Sequence, residues 1–454
     1  MEALEGLSGG MIALLCASLA IALAFEFVNG FHDTANAVAT VIYTHTLKAT
    51  PAVILSGVCN FAGVFVGGIA VAMAIVHLLP VDLLVASQPG EGMAMVLALL
   101  VAAIVWNLGT WYFGIPASSS HTLIGAILGV GIANSALAGS FGEGVNWDKA
   151  IHVGESLLVS PVFGFLVAGG LLWLLSKLIR DRRVFEPPVG EAPPPTWIRG
   201  VLITTCAGVS FAHGSNDGQK GVGLIMLILI GLMPGTFAID ESDPALVGRA
   251  LHAVADLREG LDGAALAEVA PHLDRIETSL REHESAADIP AEERWPIRVG
   301  ILRLDETVAE WESGADAARV ERVHAAQAEL DPLTDYAPWW VILAVALALG
   351  IGTTVGYKRI VVTVGEKIGK SHLTYAQGMS AEIVAMSTIG VSSYLGLPVS
   401  TTHVLSSGIA GTMAVGKAGL QKSTVRNILL AWVLTLPVCM LLSGGLFWLF
   451  SRFV

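Results

Sequence analysis

The stretch NGFHDTANAVAT, Asn29–Thr40, directly follows the apolar run Met11–Phe25 and the acidic residue Glu26. A histidine and an aspartate, His32 and Asp33, therefore fall at the end of a segment that is apolar enough to enter a membrane. Desolvating an ionisable group at that depth is costly, so such a group is a functional-site hypothesis by default. The alternative is a polar cap where a helix meets water, and a second copy of the motif later in the chain favours the site.

The composition is that of a membrane protein. Hydrophobic residues make up 54% of the 454 residues, charged residues only 14%, and the mean hydropathy is +0.68. Several apolar runs exceed the about 20 residues that a helix needs to cross a bilayer, and no alternating barrel pattern is visible. We expect an all-α polytopic membrane protein with about ten transmembrane spans. The expected spans are 11–29, 51–79, 92–114, 117–135, 155–178, 200–235, 337–357, 376–396, 400–415 and 427–450.

The distribution of basic residues predicts the orientation. With ten spans the lysine- and arginine-rich loops fall on one side, whereas loops 80–91 and 136–153 are nearly free of positive charge. The positive-inside rule places the basic loops in the cytoplasm and both termini outside. The N-terminal sequence MEALEGLSGG lacks the positive region of a signal peptide, so the first span is expected to be retained. The four cysteines stand singly in apolar runs, which predicts core packing.

One acidic segment accounts for the net charge of −13. Residues 237–335 contain 23 acidic and 9 basic residues, and the rest of the chain contains 15 acidic and 16 basic. Helical spacing within this segment predicts a small soluble helical insert on the external side. The predicted domains are a first transmembrane repeat at 1–180, a proline-rich cytoplasmic linker at 181–199, a second transmembrane repeat at 200–236 and 336–454, and the acidic insert at 237–335.

Two motifs occur twice in the same order. Gly30–Asn36, GFHDTAN, aligns with Gly214–Lys220, GSNDGQK, and Tyr112–His121, YFGIPASSSH, aligns with Tyr394–His403, YLGLPVSTTH. The aspartate-to-histidine separation is 88 residues in the first half and 186 in the second, a difference close to the length of the insert. The expected topology gives the halves opposite orientations. Inverted repeats with broken helices or hairpins are typical of secondary transporters, and we expect breaks near Asp33 and at Ala212–Lys220.

Each proline-containing motif predicts an extended turn that leads into a helix N-terminus. Proline pushes the preceding residue out of helical conformation, and a hydroxyl residue soon after it can cap the next helix. Such an N-terminus has free N–H groups and a positive dipole end, which suit a tetrahedral oxyanion. Ordinary capping explains one such motif, but a matched pair favours a site. The candidate anion-binding residues are Ser118, Ser119, Ser120 and Thr122 in the first half and Ser400, Thr401 and Thr402 in the second.

The aspartates Asp33 and Asp217 would repel an anion unless a cation or a proton lies between them. Amide and hydroxyl oxygens of Asn29, Thr34 and Asn36 near Asp33 suit a hard cation such as Na⁺ or Mg²⁺. A carboxylate buried without such ligands suits H⁺ instead. The aspartates are therefore the predicted coupling element.

Other polar residues extend the two aspartate motifs. Lys220 stands where the first half has Asn36, so its ammonium could replace a cation permanently or contact the anion. Asn216 and Gln219 add polar contacts beside it. Four histidines flank the motifs and are candidate proton relays or oxyanion donors, with packed core histidines as an equally weighted interpretation: His32, His121, His213 and His403.

At these residues the chain resembles the inorganic phosphate transporter (Pit) family. GFHDTANAVATVIYT and HGSNDGQKGVGLIML resemble its duplicated signatures, and PASSSHTLIGA and PVSTTHVLSSG resemble its paired hairpins. WNLGTWYFG and TYAQGMSAE are most similar to the bacterial low-affinity branch. The resemblance implies an inverted-repeat transporter, often dimeric, with phosphate bound centrally among these motifs. It also implies that sodium-coupled members carry asparagine in both repeats, so Lys220 favours the proton-coupled branch, which carries phosphate as a neutral complex with a divalent metal.

The resulting hypothesis is a secondary active transporter of the bacterial inner membrane that imports inorganic phosphate by proton symport and alternating access. It is not expected to be an enzyme or to hold a fixed cofactor, and Mg²⁺ or another divalent cation is expected to travel with phosphate. Besides phosphate, the expected partners are the lipid membrane and a second copy in a homodimer, with no nucleic acid. The alternatives are a Na⁺-coupled phosphate permease, a sulfate permease, and a membrane receptor that uses the external insert as a sensor. Asn36, Asn216 and Lys220 join the hydroxyls as phosphate ligands, and Asn29 and Gln219 join the aspartates as ion ligands.

Overall fold

The structure, a computed structural model, describes residues 8–77, 89–142, 145 and 147–453. Runs of alanine, leucine and isoleucine favour helices, and a helix satisfies its own backbone polar groups, as a bilayer requires. In the part of the chain described, the regular structure is accordingly helical. The helices are α1 Gly9–Tyr43, α2 Ala49–Val66, α3 Ala70–Val76, α4 Pro89–Tyr112, α5 Ser119–Leu137, α6 Trp147–Leu178, α7 Thr196–Leu232, α8 Pro234–Phe237, α9 Leu246–Gly260, α10 Gly263–Arg281, α11 Ala291–Trp311, α12 Ala317–Leu330, α13 Trp339–Thr353, α14 Lys358–Val362, α15 Tyr375–Tyr394, α16 Thr401–Val415 and α17 Lys422–Phe450.

Six of these helices are long and apolar enough to cross a membrane, or seven if α13 and the bent segment 358–367 form one span. The prediction of an all-α polytopic membrane protein is confirmed at this level, while the count of ten spans stays a prediction. Helices α7 and α16, which carry motif residues, are not among the six. The start of the chain at 1–7 and most of loop 80–91, on which part of the orientation depends, lie outside the described residues.

The expected breaks at the two aspartate motifs are wrong. Helix α1 runs without interruption past Asp33, and α7 runs without interruption through Ala212–Lys220. Polar side chains inside an apolar helix do not require a break in its backbone hydrogen bonds when residues of other helices supply partners for those side chains. Both aspartates have such partners, so the backbone ladder is kept.

A break occurs instead inside the expected span 51–79. Helix α2 ends at Val66, Gly68 has a φ of +76°, and α3 begins at Ala70. The Gln219 side chain fills the gap: its amide nitrogen donates to the Gly67 carbonyl at 2.7 Å, and its amide oxygen accepts from the Val71 N–H at 2.7 Å. Gln219 therefore replaces the backbone partners that the break removes.

The predicted helix caps are confirmed. Ser118 and Ser400 have extended backbones directly before α5 and α16. Their side-chain oxygens accept hydrogen bonds from the N–H groups of His121 at 3.2 Å and His403 at 3.1 Å. The two hairpins are thus built alike, as the aligned sequences predict.

The helix that follows each hairpin packs against a helix of the other half of the chain. Helix α5 packs along α17, and α16 packs along α6. At equivalent positions, a Cβ on Gly129 would clash with the Met440 carbonyl oxygen, and one on Gly411 would clash with the Phe165 carbonyl oxygen. Glycine is required at both contacts because each lets two helices approach closely.

The chain forms two compact units, and the described parts of 226–338 belong to the smaller one. Within that unit α9 packs against α12 and α10 against α11, around a core that includes Leu257 and Leu304. Arg298 is fully buried and donates to the carbonyls of Ala238 at 3.2 Å and Thr334 at 2.8 Å. The N–H of Asp240 donates to the Leu333 carbonyl at 2.8 Å, so the chain enters and leaves this bundle at neighbouring points.

Candidate functional site

Asp33 is held by hydroxyl groups from both halves of the chain. The Ser119 hydroxyl of α5 donates to its Oδ2 at 2.8 Å, and the Thr402 hydroxyl of α16 donates to its Oδ1 at 2.7 Å. The carboxylate is buried, with 2% of the residue exposed. A buried carboxylate needs such donors because burial removes its water. The first aspartate motif therefore meets both hairpins at one point.

Two neighbours on α1 complete the surroundings of Asp33. The Asn36 amide nitrogen donates to the Thr402 hydroxyl at 2.9 Å and to Asp33 Oδ1 at 3.4 Å. Its buried carbonyl oxygen has no hydrogen-bond partner within the described ranges. His32 places one ring nitrogen 3.2 Å from Asp33 and the other 3.1 Å from the Thr110 hydroxyl. The Asn36 oxygen is thus an acceptor available to a bound cation or donor.

Asp217 is paired with a fixed cation. The Lys220 ammonium, one turn further on α7, donates to Asp217, to the Ser120 hydroxyl at 2.5 Å and to the Val399 carbonyl at 3.3 Å. These three acceptors use all three of its donor hydrogens. The Thr401 hydroxyl donates to the other carboxylate oxygen of Asp217 at 3.2 Å.

His213 lies between the two aspartates. Its Nε2 is 2.9 Å from Asp217 Oδ2 and 3.8 Å from Asp33 Oδ2. Its Nδ1 is 2.7 Å from Asn60 Oδ1, while the Asn60 amide nitrogen donates to the Thr353 hydroxyl at 3.0 Å. Because Asn60 presents its oxygen to the ring, Nδ1 must carry a proton. Nε2 then either holds a second proton or directs a lone pair at two carboxylates.

This arrangement leaves room for one exchangeable positive charge. Ligand atoms of Asp33, His213 and Asp217 all lie within 4.8 Å of one another and are buried. Lys220 balances one carboxylate, and a proton or a cation at His213 would balance the other. Two carboxylates with an imidazole suit a divalent cation.

Other predicted site residues position the motifs rather than enter this cluster. Asn216 donates to the Ser393 hydroxyl at 3.2 Å and the Leu397 carbonyl at 3.1 Å, which ties α7 to the second hairpin. The Thr122 hydroxyl donates to the Ser118 carbonyl at 2.9 Å. Asn29 contacts Glu26 at 3.5 Å, and Gln219 is bonded at the α2–α3 break.

The two hairpin histidines meet each other. The rings of His121 and His403, which occupy equivalent positions, have centroids 4.5 Å apart, and His403 also stacks on Trp432 at 4.0 Å. His121 contacts the Ser118 hydroxyl at 2.9 Å, whereas both ring nitrogens of His403 are buried without a partner among the described residues. The two hairpins therefore contact each other through residues that are equivalent in the aligned motifs.

Sequence reasoning missed three contributors: Asn60, Thr110 and the Val399 carbonyl. Asn60 was detectable as a lone amide in the apolar run of α2, since a polar group at that depth requires a partner. Thr110 and Val399 gave no such signal. A threonine commonly bonds to its own helix, and a backbone carbonyl has no residue-type signature.

A helical chain with several membrane-length helices, in which duplicated motifs bring buried acids and hydroxyls together, has the features of a membrane transporter. A model described as the phosphate transporter family matches residues 29–443. The chain therefore belongs to the phosphate transporter family, which confirms the resemblance found in its motifs.

Individual relatives extend over nearly the whole chain. It is 45% identical to the low-affinity inorganic phosphate transporter PitA of Escherichia coli strain K12, over 97% of both chains. It is 33% identical to the probable low-affinity inorganic phosphate transporter of Bacillus subtilis strain 168, over 92% of this chain and 91% of that one. A solved structure described as the sodium-dependent phosphate transporter shares the fold, with a TM-score of 0.58 and 20% identity over 97% of this chain and all of the other. These relatives are named as transporters, in agreement with the expectation that the chain is not an enzyme.

Proposed function

We propose that this protein imports inorganic phosphate by proton symport, with alternating access between two halves of opposite orientation. The observation that carries the proposal is that two hydroxyls proposed to bind phosphate are bonded to Asp33. Ser119 and Thr402 each have one hydroxyl hydrogen to donate, and both donate it to Asp33. Family membership and the names of the relatives support phosphate as the substrate.

The shared hydroxyls supply a coupling mechanism. While Asp33 is ionised, the hydroxyl hydrogens of Ser119 and Thr402 point at its carboxylate and are not available to an anion. A proton or cation bound at Asp33 and His213 weakens the carboxylate as an acceptor and lets those hydroxyls turn to phosphate oxygens. The N-termini of α5 and α16 add N–H groups and positive dipole ends at the same place. Phosphate binding therefore requires the positive charge first.

The same cluster supports a divalent cation as a second cargo in this proposal. Phosphate carried together with Mg²⁺ or a similar ion would bring its own positive charge to Asp33, His213 and Asp217. Lys220 holds the second aspartate permanently, so only one half of the site needs an exchangeable ion. We place the protein in the bacterial inner membrane as a homodimer, with both termini and the acidic insert outside.

The decisive experiment is labelled phosphate uptake into proteoliposomes with Asp33→Asn. We expect uptake driven by a pH gradient to fall to the level of protein-free liposomes, because the amide cannot take up a proton. Glu155→Gln is the matched control, since Glu155 is exposed on α6 and should leave uptake unchanged. Proton-driven uptake near the unsubstituted level in Asp33→Asn would contradict the proposal.

The driving ion and the substrate are separated in the same assay. A Na⁺ gradient at fixed pH tests sodium coupling, labelled sulfate tests a sulfate permease, and phosphate uptake with and without Mg²⁺ tests the metal complex. We expect a response to the pH gradient and to Mg²⁺, and none to Na⁺. Saturable sulfate uptake at comparable rates, or Na⁺-driven phosphate uptake, would favour the corresponding alternative.

A further inference from the structure

An apolar cavity outside the aspartate cluster is joined to a basic surface. The cavity has a volume of about 520 Å³ and lies between α6, α16 and α17, with His121, His403 and Trp432 at its inner end. A second, more open groove of about 810 Å³ continues from it toward the start of α17. The two share Leu420, Val425, Leu429 and Val433, so they form one path along α17.

The outer end of this path carries three cations: Lys370, Lys422 and Arg426 line the second groove and are exposed. None of them pairs with an acidic residue in the part of the chain that the structure describes, and no acidic residue lines either cavity. Lys422 and Arg426 are four residues apart and therefore lie on one face of α17.

The N-terminus of α17 reinforces this positive end. Its N-cap residue, Gln421, makes no side-chain cap. The Gln421 amide nitrogen donates to the carbonyls of Gly369 at 2.8 Å and Glu366 at 3.4 Å, which holds the side chain against that segment instead. The first-turn N–H groups of α17 are thus left for another acceptor, and the helix dipole favours an anion there.

The length of the path matches one leaflet of a bilayer. Trp432 follows Lys422 by ten residues, which is about 15 Å along a helix at 1.5 Å per residue. Half of a hydrocarbon core is also about 15 Å thick. The outer wall carries exposed aliphatic residues, including Leu158, Leu429 and Val433. The cationic end, the apolar groove and the length together fit a lipid with an anionic headgroup.

We propose that this path binds one anionic glycerophospholipid. Its phosphate lies among Lys370, Lys422, Arg426 and the N-terminus of α17, and one acyl chain fills the cavity as far as His403 and Trp432. Both ring nitrogens of His403 are buried and unpartnered within the described residues, and its own N–H caps the second hairpin at Ser400. The acyl chain therefore keeps water away from the side of the hairpins that hold the aspartate cluster.

The test is native mass spectrometry of the full-length protein titrated with phosphatidylglycerol or with phosphatidylcholine of the same chains. We expect saturable binding of phosphatidylglycerol and weaker binding of phosphatidylcholine. The double variant Lys422→Gln/Arg426→Gln should weaken phosphatidylglycerol binding by about 10- to 30-fold. Each basic residue near an anionic lipid raises the affinity by about three- to fivefold, and the double variant removes two of them. Lys417→Gln is the matched control, because Lys417 is an exposed lysine of the same loop that lines neither groove.

A second variant tests the acyl chain alone. Val433→Trp changes no charge and places a large ring at an exposed position of the groove, so it should reduce phosphatidylglycerol binding without unfolding the chain. Equal affinity for both lipids, or equal losses in Lys417→Gln and the double variant, would overturn the proposal. So would binding of soluble glycerol phosphate as tightly as phosphatidylglycerol, or a double variant that changes only the dimer fraction. None of these readouts depends on phosphate transport.

Discussion

The two aspartate motifs occupy equivalent positions in the repeat but have different surroundings. Asp33 is held by the hydroxyls of Ser119 and Thr402, which are neutral donors, whereas Asp217 is held by the ammonium of Lys220. A neutral donor can turn away and leave an exchangeable site, but a covalently attached cation cannot leave. A duplicated motif therefore need not have the same role in both halves. One aspartate is suited to a moving charge and the other to a fixed one.

The largest expected effect is on stability, and it separates the two aspartates. Asp217→Asn leaves the Lys220 ammonium in a site where the residue is only 1% exposed, and stranding a buried charge costs about 3–5 kcal/mol of unfolding free energy. Asp33→Asn leaves mainly neutral hydroxyls to find new partners, which costs about 1–3 kcal/mol. Thermal unfolding of both variants in detergent measures the difference. Equal losses in unfolding temperature would mean that Lys220 does not depend on Asp217.

The second prediction removes the asymmetry. Lys220→Asn makes the second motif resemble the first and opens a cation site beside Asp217, so phosphate uptake should become dependent on an added monovalent cation such as Na⁺. Uptake in proteoliposomes with and without Na⁺ at fixed pH measures the change, and exposed Lys177→Asn is the control. A variant that keeps its proton coupling and ignores Na⁺ would show that the lysine does not take a cation's place.

The third prediction compares hydroxyls on the same hairpin. Thr402→Val removes a hydroxyl that donates to Asp33 in the empty site and, in the proposed mechanism, turns to a phosphate oxygen when the site is charged. A hydrogen bond to a charged group contributes about 1.5–3 kcal/mol. The phosphate KM should therefore rise by about 10- to 100-fold. Thr401→Val should raise it only a few-fold, because Asp217 keeps Lys220 as a partner. The reverse order of the two KM values would assign the exchangeable site to Asp217.

The smallest effect is expected from the acidic insert. The backbone hydrogen bond between Asp240 and Leu333 brings its ends together, so a short Gly–Ser linker can replace residues 241–332. We expect uptake to stay within about twofold of the full chain, because every group of the aspartate cluster lies outside this range. Loss of uptake by a properly inserted variant would revive the interpretation of the insert as a sensor.

The sequence predicted the hairpin caps from the proline and hydroxyl residues, and the family resemblance implied one central site among the aspartate motifs and the hairpins. Direct hydrogen bonds from the serine and threonine hydroxyls to the aspartates were not predicted. Nor did the sequence predict that α1 and α7 stay unbroken. A polar residue within a helix has the same local signal whether the backbone opens or a distant helix supplies its partner, and Ser119 and Thr402 are such partners for Asp33. Gln219 shows the reverse case. Its amide supplies a hydrogen-bond partner to the break between α2 and α3, and the sequence around Gln219 in α7 does not predict that break.

The exchange of helices between the halves has a consequence for biosynthesis. When the ribosome has finished residue 199, α5 and α6 are already made, but α17 and α16, along which they pack, are still to be translated. Gly129 and Gly411 let these helices pack closely once both members of each pair are present. The faces of α5 and α6 that pack against α17 and α16 therefore lack their final partners until the last helix is inserted. Assembly of the two halves is a late event, and any quality control that acts on the nascent chain has more than half of its synthesis in which to act.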